Sequence, residues 1–305
     1  MTHYHAGNTV VLAGHGFDEQ GPYLLLNDLD AVSQERLHVR GRTFTLRRTA
    51  RRFCVGRFDL QTFEKSVCPL RVELLSDAKD IMCPACAEAT GFNPSFYYAD
   101  YVSPQQRAYN LTPHFVYLAY FSPQHVKAGI SSTTRGIERL LEQGARAARV
   151  VGRFPNADKA RALEAALCAQ DGILETMRAS LKTRLLAEVR YGFAEATTVL
   201  DAAAQRLAEV PAVAEAGFTP EAPLDLDAYY FDGAAPDVHD IQQPDDHDDE
   251  CGGCCVGMVG GTLLFEQEGA VYTAPVKDWE SHEVELLDGE VTCSYDFEPQ
   301  QFSLF

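Results

Sequence analysis

The amino-acid sequence predicts an α+β fold built from several units, and three observations lead to this prediction. Short apolar segments separated by turn residues recur near both ends, which is typical of β-rich units. Four cysteines lie between residues 54 and 86, and residues 114–154 have the pattern of an antiparallel hairpin with flanking helices. The predicted units are a β-rich N-terminal unit (1–52), a four-cysteine zinc knuckle (53–100), a hairpin module with a helical extension (101–210), an acidic linker (211–253) and a β-rich C-terminal unit (254–305).

The composition is that of a globular protein. Hydrophobic residues make up 46% of the chain, with 13 Tyr and 17 Phe, so the chain as a whole is not expected to be disordered. The N-terminal segment MTHYHAGNTVVLAGHG has no basic leader, and no apolar run reaches the roughly 20 residues of a membrane span. We therefore expect a soluble, cytoplasmic protein with no membrane partner.

Charge is distributed unevenly along the chain. The net charge is −18, yet residues 36–190 hold 24 of the 26 Lys and Arg against 14 acidic residues, a balance of +10. Residues 191–305 hold two basic and 25 acidic residues, a balance of −23. A basic middle part with an acidic appendage predicts an electrostatic binding site for DNA or structured RNA across 36–190. The alternative is a surface whose charge is simply uneven.

The two terminal units are each small. The N-terminal strand segments are NTVVLAG, GPYLLLN and RLHVRGRTFTLRR, and the C-terminal ones are VGMVGGTLLFEQ, AVYTAPV and HEVELLDGEVTCSY. Each set is too small to be stable alone, so one hypothesis is that the tail packs onto the N-terminal strands and closes a single barrel.

Nine cysteines in a chain of this kind favour a metal site over disulfides. Cys54, Cys68, Cys83 and Cys86 include a CxxC pair, whose two thiolates can enter one tetrahedral site on a tight turn. Four thiolates leave no open coordination position, so the predicted zinc is structural. The alternatives are a redox CxxC, for which the surrounding sequence lacks a βαβ pattern, and unrelated buried thiols.

The other cysteines are not assigned to the zinc site, although Cys251, Cys254 and Cys255 could bind a second metal. Cys251, Cys254 and Cys255, in CGGCC, follow an acidic run and are predicted to lie in a flexible loop. Cys168 and Cys293 are predicted to be ordinary small apolar residues.

The middle of the chain has the clearest local pattern. VYLAYF and VKAGIS predict two strands joined by the turn SPQH, and RVVGRF predicts a third strand. Thr134 is predicted to cap a helix that runs to about Ala148. Further helices are predicted within PNADKARALEAALCAQ, capped by Asn156, for residues 172–189 and for EATTVLDAAAQRLAEV.

This middle segment resembles the GIY-YIG nuclease superfamily. The first triplet of that superfamily ends in a tyrosine, here Tyr117, and the second ends in a glycine, here Gly129. An arginine follows on a helix, here Arg139, and a glutamate on a later helix, here Glu164. Lys127 stands where the second triplet has a tyrosine.

Residues 50–190 also resemble an uncharacterised prokaryotic family of unknown function. That family joins a four-cysteine zinc knuckle to a GIY-YIG-like module, and its markers VYLA, KxGIS, R and EQGA all occur here in order.

The resemblance implies a phosphodiester-cleaving site. Glu164 would hold Mg²⁺ or Mn²⁺, Arg139 would neutralise charge on the phosphoryl oxygens, and Tyr117 would position or deprotonate the attacking water. Lys127 could lower the pKa of the phenol or contact a phosphate, and Arg135 is a rival to Arg139. Taken singly, these residues are as readily a core tyrosine and solvated surface charges.

The sequence therefore leads to three functional hypotheses. The first is a zinc-stabilised nucleic-acid-binding protein with a GIY-YIG-like, metal-dependent phosphodiesterase site. The second is a binding module that kept the fold without the chemistry. The third is a protein-interaction or regulatory scaffold that acts through the acidic region 191–305.

Overall fold

A computed structural model describes residues 9–93, 101–233, 235–244 and 249–295. Within this part, the chain has an α+β fold with β-rich segments towards both ends, as predicted. Parts of the predicted N-terminal unit (1–8), knuckle (94–100), linker (234 and 245–248) and C-terminal unit (296–305) lie outside the described residues. None of the described helices has the length and apolar character needed to cross a membrane.

The elements are numbered in chain order. The strands are β1 (Thr9–Asp18), β2 (Gly21–Asp28), β3 (Ser33–His38), β4 (Thr43–Phe53), β5 (Arg57–Phe58), β6 (Lys65–Ser66), β7 (Glu73–Leu74), β8 (His114–Ser122), β9 (His125–Ser132), β10 (Ala147–Phe154), β11 (Ile173–Leu174), β12 (Leu224–Asp225), β13 (Ile241–Gln242), β14 (Glu250–Val259), β15 (Thr262–Gln267), β16 (Ala270–Pro275) and β17 (His282–Asp288). The helices are α1 (Pro84–Thr90), α2 (Pro104–Asn110), α3 (Glu138–Glu142), α4 (Ala157–Cys168), α5 (Ala179–Glu188), α6 (Phe193–Ala208), α7 (Pro211–Glu215) and α8 (Asp227–Tyr230). Short 3₁₀ turns occupy Thr133–Arg135, Val238–Asp240 and Val276–Asp278.

Strands from both ends of the chain form one large sheet. Its order is β13-β16-β15-β14-β4-β17-β1-β2-β3, with β7 also paired to β4. β17 lies between β1 and β4 and pairs antiparallel with both. The predicted contact between the terminal segments is therefore confirmed. The end strands β13 and β3 do not pair within the described residues, so hydrogen bonds do not close this sheet into a barrel.

Cross-strand ion pairs link the basic and acidic parts of the sequence. Arg47 of β4 stands directly opposite Glu250 of β14 and Glu285 of β17, at 2.6 and 2.9 Å. Arg51, on the same strand, pairs with Glu283 at 3.2 Å. The acidic C-terminal strands thus neutralise arginines of β4, and part of the charge imbalance along the sequence disappears once the sheet has formed.

A second, five-stranded sheet has the order β11-β9-β8-β10-β12. β8 is buried along its whole length because both faces of this sheet are covered. The side chains of one face, such as Tyr117, pack towards the large sheet, whereas Leu118 and its neighbours pack against α4 and α6. The three strands predicted at VYLAYF, VKAGIS and RVVGRF are confirmed as β8, β9 and β10.

The helices only partly follow the predictions. Asn156 caps α4, because its Oδ1 accepts from the backbone N of Lys159 at 3.0 Å, and α6 is found where a helix was predicted. The helix predicted from Thr134 to about Ala148 is wrong: α3 has only five residues, and Ser132 rather than Thr134 supplies the capping oxygen of the preceding turn. Gly144, with φ 72°, turns the chain so that the next apolar residues enter β10. The helix predicted over 172–189 begins as β11, and only α5 is helical.

Two segments predicted to be exposed are structured. Leu226, Tyr230 and Phe231 of the predicted linker are buried in the main core, so their apolar side chains anchor this segment. CGGCC is part of β14 instead of a flexible loop, with Cys251 and Cys255 buried. Its glycines bring the backbone close to β4, where a Cβ at position 252 would lie 2.5 Å from the Oγ1 of Thr45.

Candidate functional site

The four predicted cysteines form one buried cluster. Cys54 follows β4, Cys68 follows β6, Cys83 is the N-cap of α1 and Cys86 lies within α1. Their sulfur atoms all lie within 4.8 Å of one another, and those of Cys68 and Cys83 are 3.9 Å apart. A tetrahedral zinc with bonds of 2.3 Å places its sulfur ligands about 3.8 Å apart. The four buried thiols can therefore hold a metal ion, and in the described part of the chain no other group of three or more such ligands is found.

The local backbone explains how the knuckle brings the thiols together. Gly56, with φ 101°, passes so near the neighbouring strand that a Cβ would lie 1.9 Å from the backbone oxygen of Ser66. The backbone N–H groups of Gly56 and Cys83 donate to the sulfur of Cys54 at 3.4 and 3.1 Å. Such bonds favour a thiolate, which is the form that binds metal.

Tyr117 and Gly129 face each other across the hairpin of β8 and β9. A Cβ at Gly129 would lie 2.6 Å from both Cζ and Oη of Tyr117, so the phenol ring occupies the space above the glycine. Tyr117 is 1% exposed, and burial raises its pKa, while the neighbouring guanidinium of Arg139 opposes that shift. Arg139 acts on the phenol more strongly than Arg135, the rival arginine, does.

Three cations converge near this tyrosine around one amide side chain. The Nζ of Lys182 donates to the backbone oxygen of Gln143 at 2.7 Å, and the Nζ of Lys127 donates to its Oε1 at 3.4 Å. With the amide turned over, the oxygen accepts instead from both terminal nitrogens of Arg139 at 3.3 Å. Burial lowers the pKa of Lys127, and the charge of Arg139 lowers it further. Burial, Lys127 and Arg139 together lower the pKa of Lys182 to about 8. Lys182 bonds the backbone oxygen, whereas Lys127 and Arg139 compete for the one side-chain oxygen of Gln143, which can accept from only one of them in each amide orientation.

Glu164, on α4, supplies negative charge to the same region. Burial raises the pKa of its carboxyl group, and Arg161, Lys127 and Arg139 oppose the shift. Glu175, just beyond β11, raises that pKa further, so the two carboxylates lie close enough to interact. The structure thus places all four sequence-predicted site residues, Tyr117, Lys127, Arg139 and Glu164, within one electrostatically linked group.

A cavity of about 350 Å³ opens beside Arg139, between the cysteine knuckle, the hairpin and α4. Arg135, Arg139 and Arg161 lie in its wall, as does His114 at the start of β8. Carboxylates lie beside these arginines: Arg135 donates to Glu142, and Arg139 and Arg161 lie 3.6 and 3.9 Å from Glu142 and Glu164.

The sequence prediction did not single out several residues of this region. Gln143 lies inside the marker EQGA, so a signal for it was present. Lys182 and Glu175 reach the site only because α5 and β11 pack beside β8 and β9. No local sequence pattern predicts that packing.

The knuckle and the group around Tyr117 both fall within a segment that matches a known family. No curated protein and no solved structure matched the chain. Residues 41–284, which include β4 through the first three residues of β17, match the family described as protein of unknown function DUF2797. The chain belongs to this family.

Proposed function

We propose that this protein is a zinc-stabilised nucleic-acid-binding protein, with a GIY-YIG-like phosphodiesterase site at Tyr117, Lys127, Arg139 and Glu164. The observation that carries the proposal is the convergence of Lys127, Arg139 and Lys182 on Gln143. Cations that repel one another in a largely buried place are stabilised when an anion binds between them. A phosphate group has the charge and the acceptor oxygens to take that position.

The order of elements supports the resemblance to the GIY-YIG superfamily. Two antiparallel strands, β8 and β9, are followed by the helix with Arg139, a third strand and the helix with Glu164. Tyr117 lies over Gly129 on the paired strands, which is where the two triplets of the resemblance place them.

The charge and the burial of each side chain give it a role in this proposal. Arg139 and Lys182 stabilise charge on the phosphoryl oxygens, and Lys127 contributes a third cation where the superfamily has a tyrosine. Because burial raises the pKa of Tyr117, its phenol stays protonated at neutral pH and positions the attacking water instead of deprotonating it.

Two ions belong to the proposal. The four thiols of the knuckle match the preference of zinc, which would hold the knuckle folded. Glu164, with Glu175 nearby, would hold Mg²⁺ or Mn²⁺, ions that commonly use one or two carboxylates together with substrate phosphates. Such an ion supplies a Lewis acid for a phosphate oxygen and the leaving group.

Gel assays of cleavage and binding test the proposal directly. Labelled single-stranded, duplex and branched DNA and folded RNA are incubated with the protein in Mg²⁺, Mn²⁺ or EDTA. We expect metal-dependent cutting that Glu164→Gln and Arg139→Met each abolish, with Arg139→Met also weakening binding. The matched controls are Glu188→Gln and Arg184→Met, which remove the same groups from an exposed pair on α5.

The outcomes separate the parts of the proposal. Binding that requires Arg139 without any cutting keeps the nucleic-acid site and contradicts the phosphodiesterase. No binding to any substrate, or equal losses in the α5 controls, contradicts both.

A further inference from the structure

The cavity beside Arg139 has an aromatic wall contributed by the cysteine knuckle. Phe58 and Phe63 line it from the knuckle, and Tyr109 of α2 lines it from the adjoining side. The ring centroid of Phe63 lies 5.9 Å from that of Phe58 and 6.2 Å from that of Tyr109. The guanidinium of Arg135 lies over the Phe63 ring at 5.4 Å. Aromatic faces next to arginines are the usual platform on which proteins stack nucleic-acid bases.

Phe63 reaches this wall through an unfavourable backbone conformation. It ends the turn between β5 and β6 with φ 60°, in the left-handed region where glycine or asparagine is usual. The turn is fixed by Asp59, whose Oδ1 accepts from the backbone N of Gln61 and Thr62 at 2.7 and 2.8 Å. A bulky ring held in this conformation at the edge of a cavity is typical of strain retained at a functional site.

His114 adds a buried acceptor with no partner. Its Nδ1 lies 2.7 Å from the carbonyl oxygen of Thr112, which can only accept, so Nδ1 carries the proton. The Nε2 atom is then an acceptor, and it has no hydrogen-bond partner among the described residues. His114 is 1% exposed and lines the cavity. A ligand that donates an N–H group here would satisfy an otherwise unpaired buried atom.

The cavity wall also contains cationic side chains that can bind an anion. Arg135, Arg139 and Arg161 lie in the same wall, and Arg139 also belongs to the group around Tyr117. Arg139 is therefore shared by the cavity and the proposed phosphate site. Its volume of about 350 Å³ lies within the range of small-ligand pockets.

We propose that this cavity receives one unstacked nucleotide of the bound nucleic acid. Its base lies against Phe63 and Tyr109, an exocyclic amino group donates to the Nε2 of His114, and its phosphate lies towards Arg135, Arg139 and Arg161. This inference rests on the proposed function and adds the zinc knuckle as one wall of the substrate site. It also predicts a preference for bases that carry an amino group.

Titration calorimetry with the full, zinc-loaded chain tests the inference. The probes are AMP, CMP, UMP, ribose 5-phosphate and inorganic phosphate, followed by single-stranded dA and dT oligonucleotides. We expect AMP and CMP to bind more tightly than UMP and ribose 5-phosphate. Replacing His114 by Phe should remove that preference. Phe63→Gly, which suits the left-handed backbone, should weaken nucleotide and oligonucleotide binding by roughly 5- to 100-fold.

Two control variants accompany these substitutions. Phe63→Tyr keeps the aromatic face and should retain the affinity. Leu75→Gly changes an exposed residue of the same knuckle that does not line the cavity, and should have no effect. The zinc content of each variant shows that the knuckle is still folded.

The outcomes distinguish this inference from the proposed function. If oligonucleotides bind and require Arg139, but Phe63→Gly and His114→Phe change nothing, the inference is overturned and the proposed function stands. If mononucleotides bind through Phe63 and His114 but no oligonucleotide binds, the cavity is supported as a nucleotide site and the proposed function is contradicted. AMP binding no tighter than ribose 5-phosphate also overturns the inference.

Discussion

Gly129 has no side chain, and the ring of Tyr117 fills the space where one would lie. The backbone at Gly129 does not have a positive φ, so steric contact, rather than backbone conformation, is the reason for a glycine here. The contact holds the phenol against the sheet, where Arg139 reaches it.

Gly129→Ala therefore tests the packing on which the site depends. The added methyl group meets a buried ring at 2.6 Å, so we expect the free energy of unfolding to fall by ~1–3 kcal/mol. Chemical denaturation measures this change. Gly192→Ala is the matched control, since a Cβ there has open space and an ordinary φ. Equal stability of the two variants would show that Tyr117 does not hold a fixed position over Gly129.

Lys182 gives the site a pH dependence of defined sign. Its pKa of about 8 in the free protein lies below the ordinary 10.5, so the amine loses its proton as the pH rises through about 8. A bound phosphate favours the protonated form, so binding above pH 8 requires proton uptake. We expect affinity for nucleic acid to be constant from pH 6 to 7.5 and then to fall, by up to about tenfold per pH unit.

Fluorescence anisotropy across pH 6 to 9.5 measures this dependence. Lys182→Met should bind more weakly at pH 7 and show a flatter profile. Arg184→Met, on the exposed side of the same helix, should keep the profile of the parent protein. An unchanged fall in affinity in Lys182→Met would assign the titration to another group.

At the scale of elements, the cysteine knuckle has only a small apolar core around its four thiols. Its buried cluster consists of the four cysteines, with Val72, Leu74 and Met82 packed against it. A structural zinc of this kind contributes ~10–16 kcal/mol of apparent binding free energy, which is coupled to local folding. With zinc bound as proposed, the position of Phe58 and Phe63 depends on the metal.

Removing one thiol should abolish zinc binding and unfold the knuckle. We expect one zinc ion per chain in the parent protein, and loss of zinc from Cys86→Ser with faster tryptic cleavage at the exposed Arg57, Lys65 and Arg71. Metal analysis and limited proteolysis provide the two readouts. Cys254→Ser, which lies outside the cluster, should keep its zinc. Full zinc content in Cys86→Ser would contradict the four-cysteine site.

At the scale of the whole molecule, β17 connects strands from distant parts of the chain within the large sheet. It pairs with β1 on one side and β4 on the other, so deleting residues 282–288 separates β1–β3 from the rest of the sheet and leaves one edge each of β1 and β4 without backbone partners. We expect this deletion to give aggregated or unfolded protein. Circular dichroism and gel filtration detect that outcome.

The double substitution Glu283→Gln and Glu285→Gln is the control for charge, because it removes acidic groups of β17 while keeping the strand. We expect this variant to fold. A folded protein lacking β17 would instead show that the acidic C-terminal region is a separable appendage.

Local patterns in the sequence were sufficient for some elements and not for others. β8 contains a short apolar run, β9 returns after the turn SPQH, and α4 begins at a capping asparagine, so each could be predicted from neighbouring residues alone. The strand at CGGCC could not, since its glycines are explained only by the approach of β4. Arg47 likewise belongs to the basic part of the sequence, and only the fold shows that carboxylates of β14 and β17 pair with it.

The candidate site shows the same division. Tyr117, Lys127, Arg139 and Glu164 could be named because a family resemblance supplies their spacing. Lys182 comes from a helix that resembles any amphipathic helix in sequence. Its role depends on tertiary packing that brings its amine to Gln143.

The central claim is that the partly compensated cations around Tyr117 bind the phosphates, and that the larger number of arginines on β4 do not. Fluorescence anisotropy with a labelled oligonucleotide, comparing Arg139→Met with Arg47→Met at two salt concentrations, tests it most directly. Arg47 already pairs with two carboxylates, at 2.6 and 2.9 Å. Among the described residues, the carboxylate within 4 Å of Arg139 is that of Glu142, at 3.6 Å. We predict that Arg139→Met raises the Kd roughly tenfold or more and lowers the salt dependence, while Arg47→Met stays within about twofold. Equal losses in the two variants, or a larger loss for Arg47→Met, would contradict the account.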